Sequence, residues 1–128
     1  MEILEHVDIG CAEMILRSDG IIQTTIKKDA TVDLNAAKEL LRAYIKIGKG
    51  KKIPHLMVFS DFSLTDKSVL EYTAKEANQY GKADAVVVKS MAQRIMANFY
   101  LRFQRPSVPT RLFNSIHEAE KWLLEFTD

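Results

Sequence analysis

Apolar positions recur along this chain with two different periods, and the switch between them marks out its elements. The stretches Cys11 to Arg17 and Ile21 to Lys27 read as strands, the second rich in β-branched side chains. Asp19-Gly20 between them is a strong hairpin signal, because both residues tolerate the positive φ of a tight turn. Residues 1–10 carry the weakest pattern and read as either a flexible arm or an extra edge strand. A 3.6-residue period then takes over. Asp33 is the expected N-cap of a helix from Leu34 to about Ile47, with Leu34, Ala37, Leu41, Tyr44 and Ile45 as its apolar stripe. Gly48 ends it.

After the basic turn Lys49-Gly50-Lys51-Lys52, residues 55–60 (HLMVFS) form a nearly continuous apolar run, expected of a central strand covered on both faces. Thr65 or Asp66 caps the next helix, which carries Val69, Tyr72, Ala77 and Tyr80 before Gly81 stops it. Ala83 to Val88 (ADAVVV) is a second buried strand. Ser90-Met91-Ala92-Gln93 is a capping box opening a helix that runs to about Phe103, where Pro106 and Pro109 bar continuation. Thr110 to Phe113 is a short strand. Ser115-Ile116-His117-Glu118 opens a terminal helix with Ala119, Trp122, Leu123 and Phe126 on its inner face. The expected order is β-β-α-β-α-β-α-β-α. That alternation demands crossover connections and hence an α/β fold with a mixed, mostly parallel sheet, an N-terminal β-hairpin and four helices.

The length, 128 residues, is that of one domain, taken as 1–128. With 47% hydrophobic and 27% charged residues, the composition excludes a disordered, collagenous or disulfide-stapled chain. A net charge of +1 supplies no global attraction to nucleic acid or an anionic membrane. It also leaves little to keep copies apart, so a homodimer is an open expectation. No run of about eighteen apolar residues occurs, so no membrane span is expected. The N-terminus lacks a signal-peptide core, and the lone Cys11 fits a reducing compartment. A cytoplasmic location follows.

Catalytic signatures are absent, so no catalytic residue, metal ligand or cofactor is assigned and the chain is read as a non-enzyme. His6, His55 and His117 are far apart in sequence, and Gly48-Lys49-Gly50-Lys51 lacks the spacing of a phosphate loop. From Lys89 to Arg111 the chain holds Lys89, Arg94, Arg102, Arg105 and Arg111 and no acidic residue. Phe99, Tyr100 and Phe103 lie among them, the raw material for base stacking. Helical spacing instead puts Ile95, Phe99 and Phe103 on one inward face, a core stripe with a basic rim. No nucleic-acid partner is expected. Arg102, Arg105 and Arg111 are the candidate contacts for an anionic ligand or acidic partner, and Asp61 lies at the strand end where open α/β sheets bind ligands.

The element order resembles the STAS domain of SpoIIAA-like anti-sigma-factor antagonists. More specifically, Ala85 to Leu123 is similar to an uncharacterised group of bacterial STAS-like proteins. Asn98-Phe99, the strand Pro109 to Phe113 and the helix segment Glu118 to Leu123 carry that likeness. The resemblance implies a regulatory protein-interaction module with a phosphorylatable hydroxyl in the loop before the second helix. Here that loop holds Ser63, Thr65, Asp66 and Ser68; the family's Asp-Ser-Ser-Gly pattern becomes Asp66-Lys67-Ser68-Val69. Capping of the helix accounts for the same residue types without regulation. The second expectation is a carrier for a small apolar or anionic ligand, with its pocket between the sheet and the helix bearing Phe99 and Phe103.

Overall fold

Right-handed crossovers that all step in one direction across a sheet must lay their helices on one face. The computed structural model, which describes residues 1–128, follows that rule. Strand β1 (Ile3–Asp8) pairs antiparallel with β2 (Ala12–Arg17), and β2 pairs antiparallel with β3 (Ile22–Ile26). From β3 the sheet continues in parallel through β5 (His55–Phe59), β7 (Asp84–Val87) and β8 (Thr110–Phe113). The crossovers are α1 (Leu34–Ile47), α2 (Lys67–Lys75) and α3 (Met91–Phe99), while α4 (Ile116–Leu123) packs against β5, β7 and β8 from the opposite side. The mixed, mostly parallel α/β sheet with four helices is the architecture expected.

Period-2 alternation then sorts the central strands into two cores. Met14, Ile22, Ile26 and Phe59 meet the three crossover helices. Ile21, Leu56, Val58, Ala85 and Val87 meet Ala119 and Leu123 of α4. The buried Arg17 joins β2 to α4 by an ion pair with Glu120 and also pairs with Asp19 of the hairpin turn at 2.6 Å.

Several expectations are corrected. Of the two alternatives for the N-terminus, residues 3–8 take the edge strand, since the hairpin partner β2 offers them a ladder. Two extra two-residue strands, β4 (Thr31–Val32) and β6 (Leu64–Thr65), pair in parallel outside the main sheet. Cys11 sits half-buried in the bend before β2 instead of opening it. The second helix stops at Lys75 and passes into a 3₁₀ turn, Ala77–Tyr80. The third leaves α geometry at Phe99 for a π turn, Tyr100–Gln104, closed by Arg105 in the left-handed region (φ 49°).

The orientation of α3 is also corrected. Ile95 and Phe103 are each 63% exposed and Phe99 is half-buried, whereas Gln93, Ala97 and Tyr100 face inward. Gln93 explains the choice. Ser90 caps the helix, its Oγ accepting from the Gln93 N–H at 3.1 Å, but the Gln93 side chain reaches back past the Ser90 N–H of a capping box to the Lys89 N–H. Its Nε2 donates to the carbonyls of Ser60 (2.8 Å) and Ser63 (2.9 Å), and its Oε1 accepts from the Lys89 N–H (2.8 Å). An amide making three bonds inside outweighs the burial of Ile95 and Phe103 outside. Replacing it by leucine in Gln93→Leu strands the Lys89 N–H and the Ser63 carbonyl. At about 1–3 kcal/mol per buried polar group, urea unfolding should show a loss of about 2–6 kcal/mol; an unchanged midpoint would mean that α3 is oriented by something else.

Candidate functional site

Beneath the three crossover helices lies a largely apolar cavity of about 160 Å³. Met14, Leu40, Phe59, Leu70 and Ala97 supply much of its wall, with the small Ala97 side chain leaving room under α3. One end is polar. His55 and Asp84 are the first residues of β5 and β7 and are directly paired across those parallel strands. Thr24 lies on β3, two residues beyond the Ile22 that pairs with His55, and on the same face.

This register produces a hydrogen-bonded chain across three central strands. Thr24 Oγ1 stands 2.7 Å from His55 Nε2, and His55 Nδ1 stands 2.8 Å from Asp84 Oδ1. An ionised carboxylate can only accept, so Nδ1 donates to Asp84, and in the neutral imidazole Nε2 then accepts from the Thr24 hydroxyl. The Tyr44 ring meets the imidazole edge-on at 5.7 Å. Its hydroxyl donates to the Ile53 carbonyl (2.6 Å) and accepts from the Ile53 N–H (2.9 Å). Tyr100, from the π turn, accepts from Asn78 Nδ2 at 3.1 Å. Burial pushes the Tyr44 phenol up to about 12, the Ile53 bond working against the rise and the charge of Asp84 adding to it. Burial and then Asp84 raise the Tyr100 phenol as well.

Hydroxyl, imidazole and carboxylate in this order match the bonding pattern of a nucleophile triad. The surroundings differ. Thr24 sits mid-strand with hydrogen-bonded strands on both sides, so the backbone N–H groups around it are engaged in ladders and none is free to hold an oxyanion. The arrangement is suited to holding a polar group of a bound molecule in a fixed orientation.

Of the residues singled out from sequence, Thr65 and Arg111 reach the cavity wall and the others lie elsewhere. Ser63 is fully buried, its hydroxyl donating to the Ser60 carbonyl at 2.7 Å. Thr65 is half-buried in β6 with its N–H on Met96 Sδ. Asp66 is the N-cap of α2, but its side chain makes no capping bond, and Ser68 is exposed in the first turn. Asp61 is an exposed turn residue 4.0 Å from Lys89 Nζ. Arg102 and Arg105 lie exposed on the turn that ends α3. Arg111 stacks on Phe113 and Trp122, 5.3 and 5.6 Å from the ring centres, on the α4 side. The three arginines therefore do not converge on one anion. Thr24, Tyr44, His55, Asp84 and Tyr100 were missed as a set. The available signal was that a histidine and an aspartate each open an apolar strand, HLMVF and DAVV.

A family model described as "Domain of unknown function (DUF7793)" matches residues 14–127. No curated protein matches the chain. Among solved structures, it is similar to an uncharacterized protein of the DUF3478 family with a SpoIIAA-like fold from Shewanella loihica PV-4, at a TM-score of 0.61 and 12% sequence identity. That likeness covers 96% of this chain and 98% of the other, and it shows the fold. No helix of the protein is long and apolar enough to cross a membrane.

The raised Tyr44 phenol has a consequence for stability. Between pH 10 and pH 12 the folded state keeps a proton that the unfolded chain releases, so stability is complete below pH 10 and falls as pH rises through that window. A shift of this size is worth about 2–3 kcal/mol. Urea midpoints across the window should fall steeply in the unaltered protein and less steeply in Tyr44→Phe. Equal slopes would show that Tyr44 does not carry the effect.

Proposed function

The chain belongs to the family described as "Domain of unknown function (DUF7793)", and from its SpoIIAA-like fold and its cavity we propose that it is a non-enzymatic binding module for a small, mostly apolar ligand. The observation that carries this reading is the apolar space of about 160 Å³ with the Thr24–His55–Asp84 chain at one end. Apolar cavities near 150 Å³ take up a molecule of benzene size. The ligand is therefore about one ring with a short substituent, held by apolar contact and oriented by a few polar groups. The lone thiol of Cys11, half-buried and raised by burial, supports the cytoplasmic location expected above.

A second reading has its own support. Ser68 is exposed in the first turn of α2, and Asp66 leaves that turn without a side-chain cap. A phosphate there meets free N–H groups and the positive end of the helix, as a STAS-type switch requires. Exposed Phe62, Met91 and Ile95 supply apolar surface of the kind that protein contacts use. A phosphate-sized mass increment on residues 60–68 of protein from its native host tests this reading; an unmodified Ser68 counts against it.

The primary reading is tested with toluene as the probe, followed by ligand-observed NMR and thermal denaturation. Binding at a hundredfold excess over Kd should stabilise the protein by about 2.7 kcal/mol. Ala97→Leu fills the cavity and should abolish the effect while keeping the fold. Absence of binding, or equal binding by Ala97→Leu, would sink the proposal.

A further inference from the structure

We propose that the outer face of α3 and the turn after β5 form a docking surface for an anionic lipid bilayer, on which the domain rests without crossing it. This is independent of the cavity and starts from the exposed apolar side chains. Phe62, Met91, Ile95 and Phe103 are each at least 63% exposed. Met91, Ile95, Phe99 and Phe103 recur every fourth residue, and the rings of the last two lie 4.9 Å apart, so they make one ridge along the outside of the helix. Gln93 fastens the Phe62 turn to the first turn of α3 through the Ser60 and Ser63 carbonyls. Phe62 itself costs the isolated fold twice, by exposing a ring and by holding a bulky residue in the left-handed region (φ 60°). Neither feature serves packing within the chain, and both suit a side chain presented to something outside it.

The charge around the ridge has one dominant sign. Helical spacing sets Arg94 on one flank, where it bonds Asn114, and Arg102 on the crest. On the other flank Lys67, from α2, lies 6.0 Å over the Phe99 ring. Arg105 is exposed where the π turn ends, and Lys89 is exposed just before the helix begins. Arg94, Arg102, Arg105 and Lys67 make no ion pair within the chain, whereas Lys27, Lys75 and Lys82 each make one. The acidic residues on the turn beside α3 are Asp61, 4.0 Å from Lys89, and Asp66, so the cations outnumber them five to two. The overall charge of +1 conceals this local excess, which calls for an anionic partner.

An apolar crest with a basic rim matches the boundary between acyl chains and anionic headgroups. The Phe, Ile and Met side chains enter the apolar layer while the lysine and arginine stems reach back to the phosphates. The nine residues of α3 are too few to cross a bilayer, so the helix lies in its plane. A second copy of the chain, packed ridge to ridge, would set these arginines against one another. Protein interfaces favour Trp and Tyr as anchors and deplete lysine at their centre; the ridge holds neither aromatic type, since Tyr100 turns inward. A bilayer also needs no matched counter-surface for side chains that project from a convex helix.

The test is co-sedimentation of the full chain with vesicles of pure phosphatidylcholine and of equimolar phosphatidylcholine and phosphatidylglycerol. Partition onto the anionic vesicles should be stronger by roughly tenfold or more, and added salt should remove most of the difference. Arg102→Gln should weaken binding roughly fivefold, the effect of one cation at the surface. Ile95→Gln should weaken it by a similar factor through lost apolar contact. Phe62→Asn should also weaken binding, yet raise the thermal midpoint by roughly 2–5 °C, because asparagine accepts the left-handed backbone. Damage to the fold cannot give that combination. Leu124→Gln, which removes an exposed apolar side chain just after α4, should leave binding unchanged. Equal binding to both vesicles, or an equal loss in Leu124→Gln, overturns the assignment. Absence of binding to either vesicle overturns it in favour of an acidic protein partner, while toluene binding decides the cavity reading separately.

Discussion

An imidazole placed on the helix-covered face of a central strand has to find two hydrogen-bond partners inside the protein. Left unmade, each such bond costs about 1–3 kcal/mol. His55 meets that demand by bonding Thr24 on one neighbouring strand and Asp84 on the other, so one side chain ties β3, β5 and β7 together beneath the helices. The same bonds give the Asp84 carboxylate its compensation for leaving water. They also commit a strip of the sheet to polar side chains where a tightly packed core would have aliphatic ones. The cavity lies between that strip and the helices above it.

The helix layer is shaped by a second constraint of the same kind. Gln93 holds α3 to the turn after β5 through the carbonyls of Ser60 and Ser63. With that amide turned inward, the helix presents Ala97 and Tyr100 to the cavity and Met91, Ile95 and Phe103 to solvent. The π turn after Phe99 then brings the Phe103 ring beside Phe99, at 4.9 Å between centres, instead of returning it to the core. Polar bookkeeping decides which face of α3 is buried, against the pull of its largest apolar residues.

That difference explains how far the fold and the site could be read from sequence. Strand and helix existence depends on local periodicity, and the hairpin at Asp19-Gly20, the cap at Asp33 and the apolar run after His55 all express it locally. The facing of α3 depends on what Gln93 finds across a gap of about thirty residues, which no periodicity encodes. The cavity's polar end is harder still. Thr24, His55 and Asp84 meet only because three strands align in one register, and two of them look like ordinary strand openers when read singly. A hydroxyl-rich loop such as Ser63 to Ser68, by contrast, draws notice because its residues are adjacent, although Ser63 turns out to be a buried packing group.

The ligand and switch readings proposed above share a helix, so neither excludes the other. Val69 and Leu70 follow Ser68 directly and form part of the cavity wall. On the proposed reading, a ligand filling the cavity bears on the same first turn of α2 that a phosphate at Ser68 would hold. Any free energy by which one event favours or opposes the other must appear reciprocally. A ligand that orders this turn would promote modification-dependent contacts there, and a phosphate that draws the turn outward would loosen the cavity. The exposed Phe62, Met91 and Ile95 lie on the turn and helix that the Gln93 bonds to Ser60 and Ser63 join.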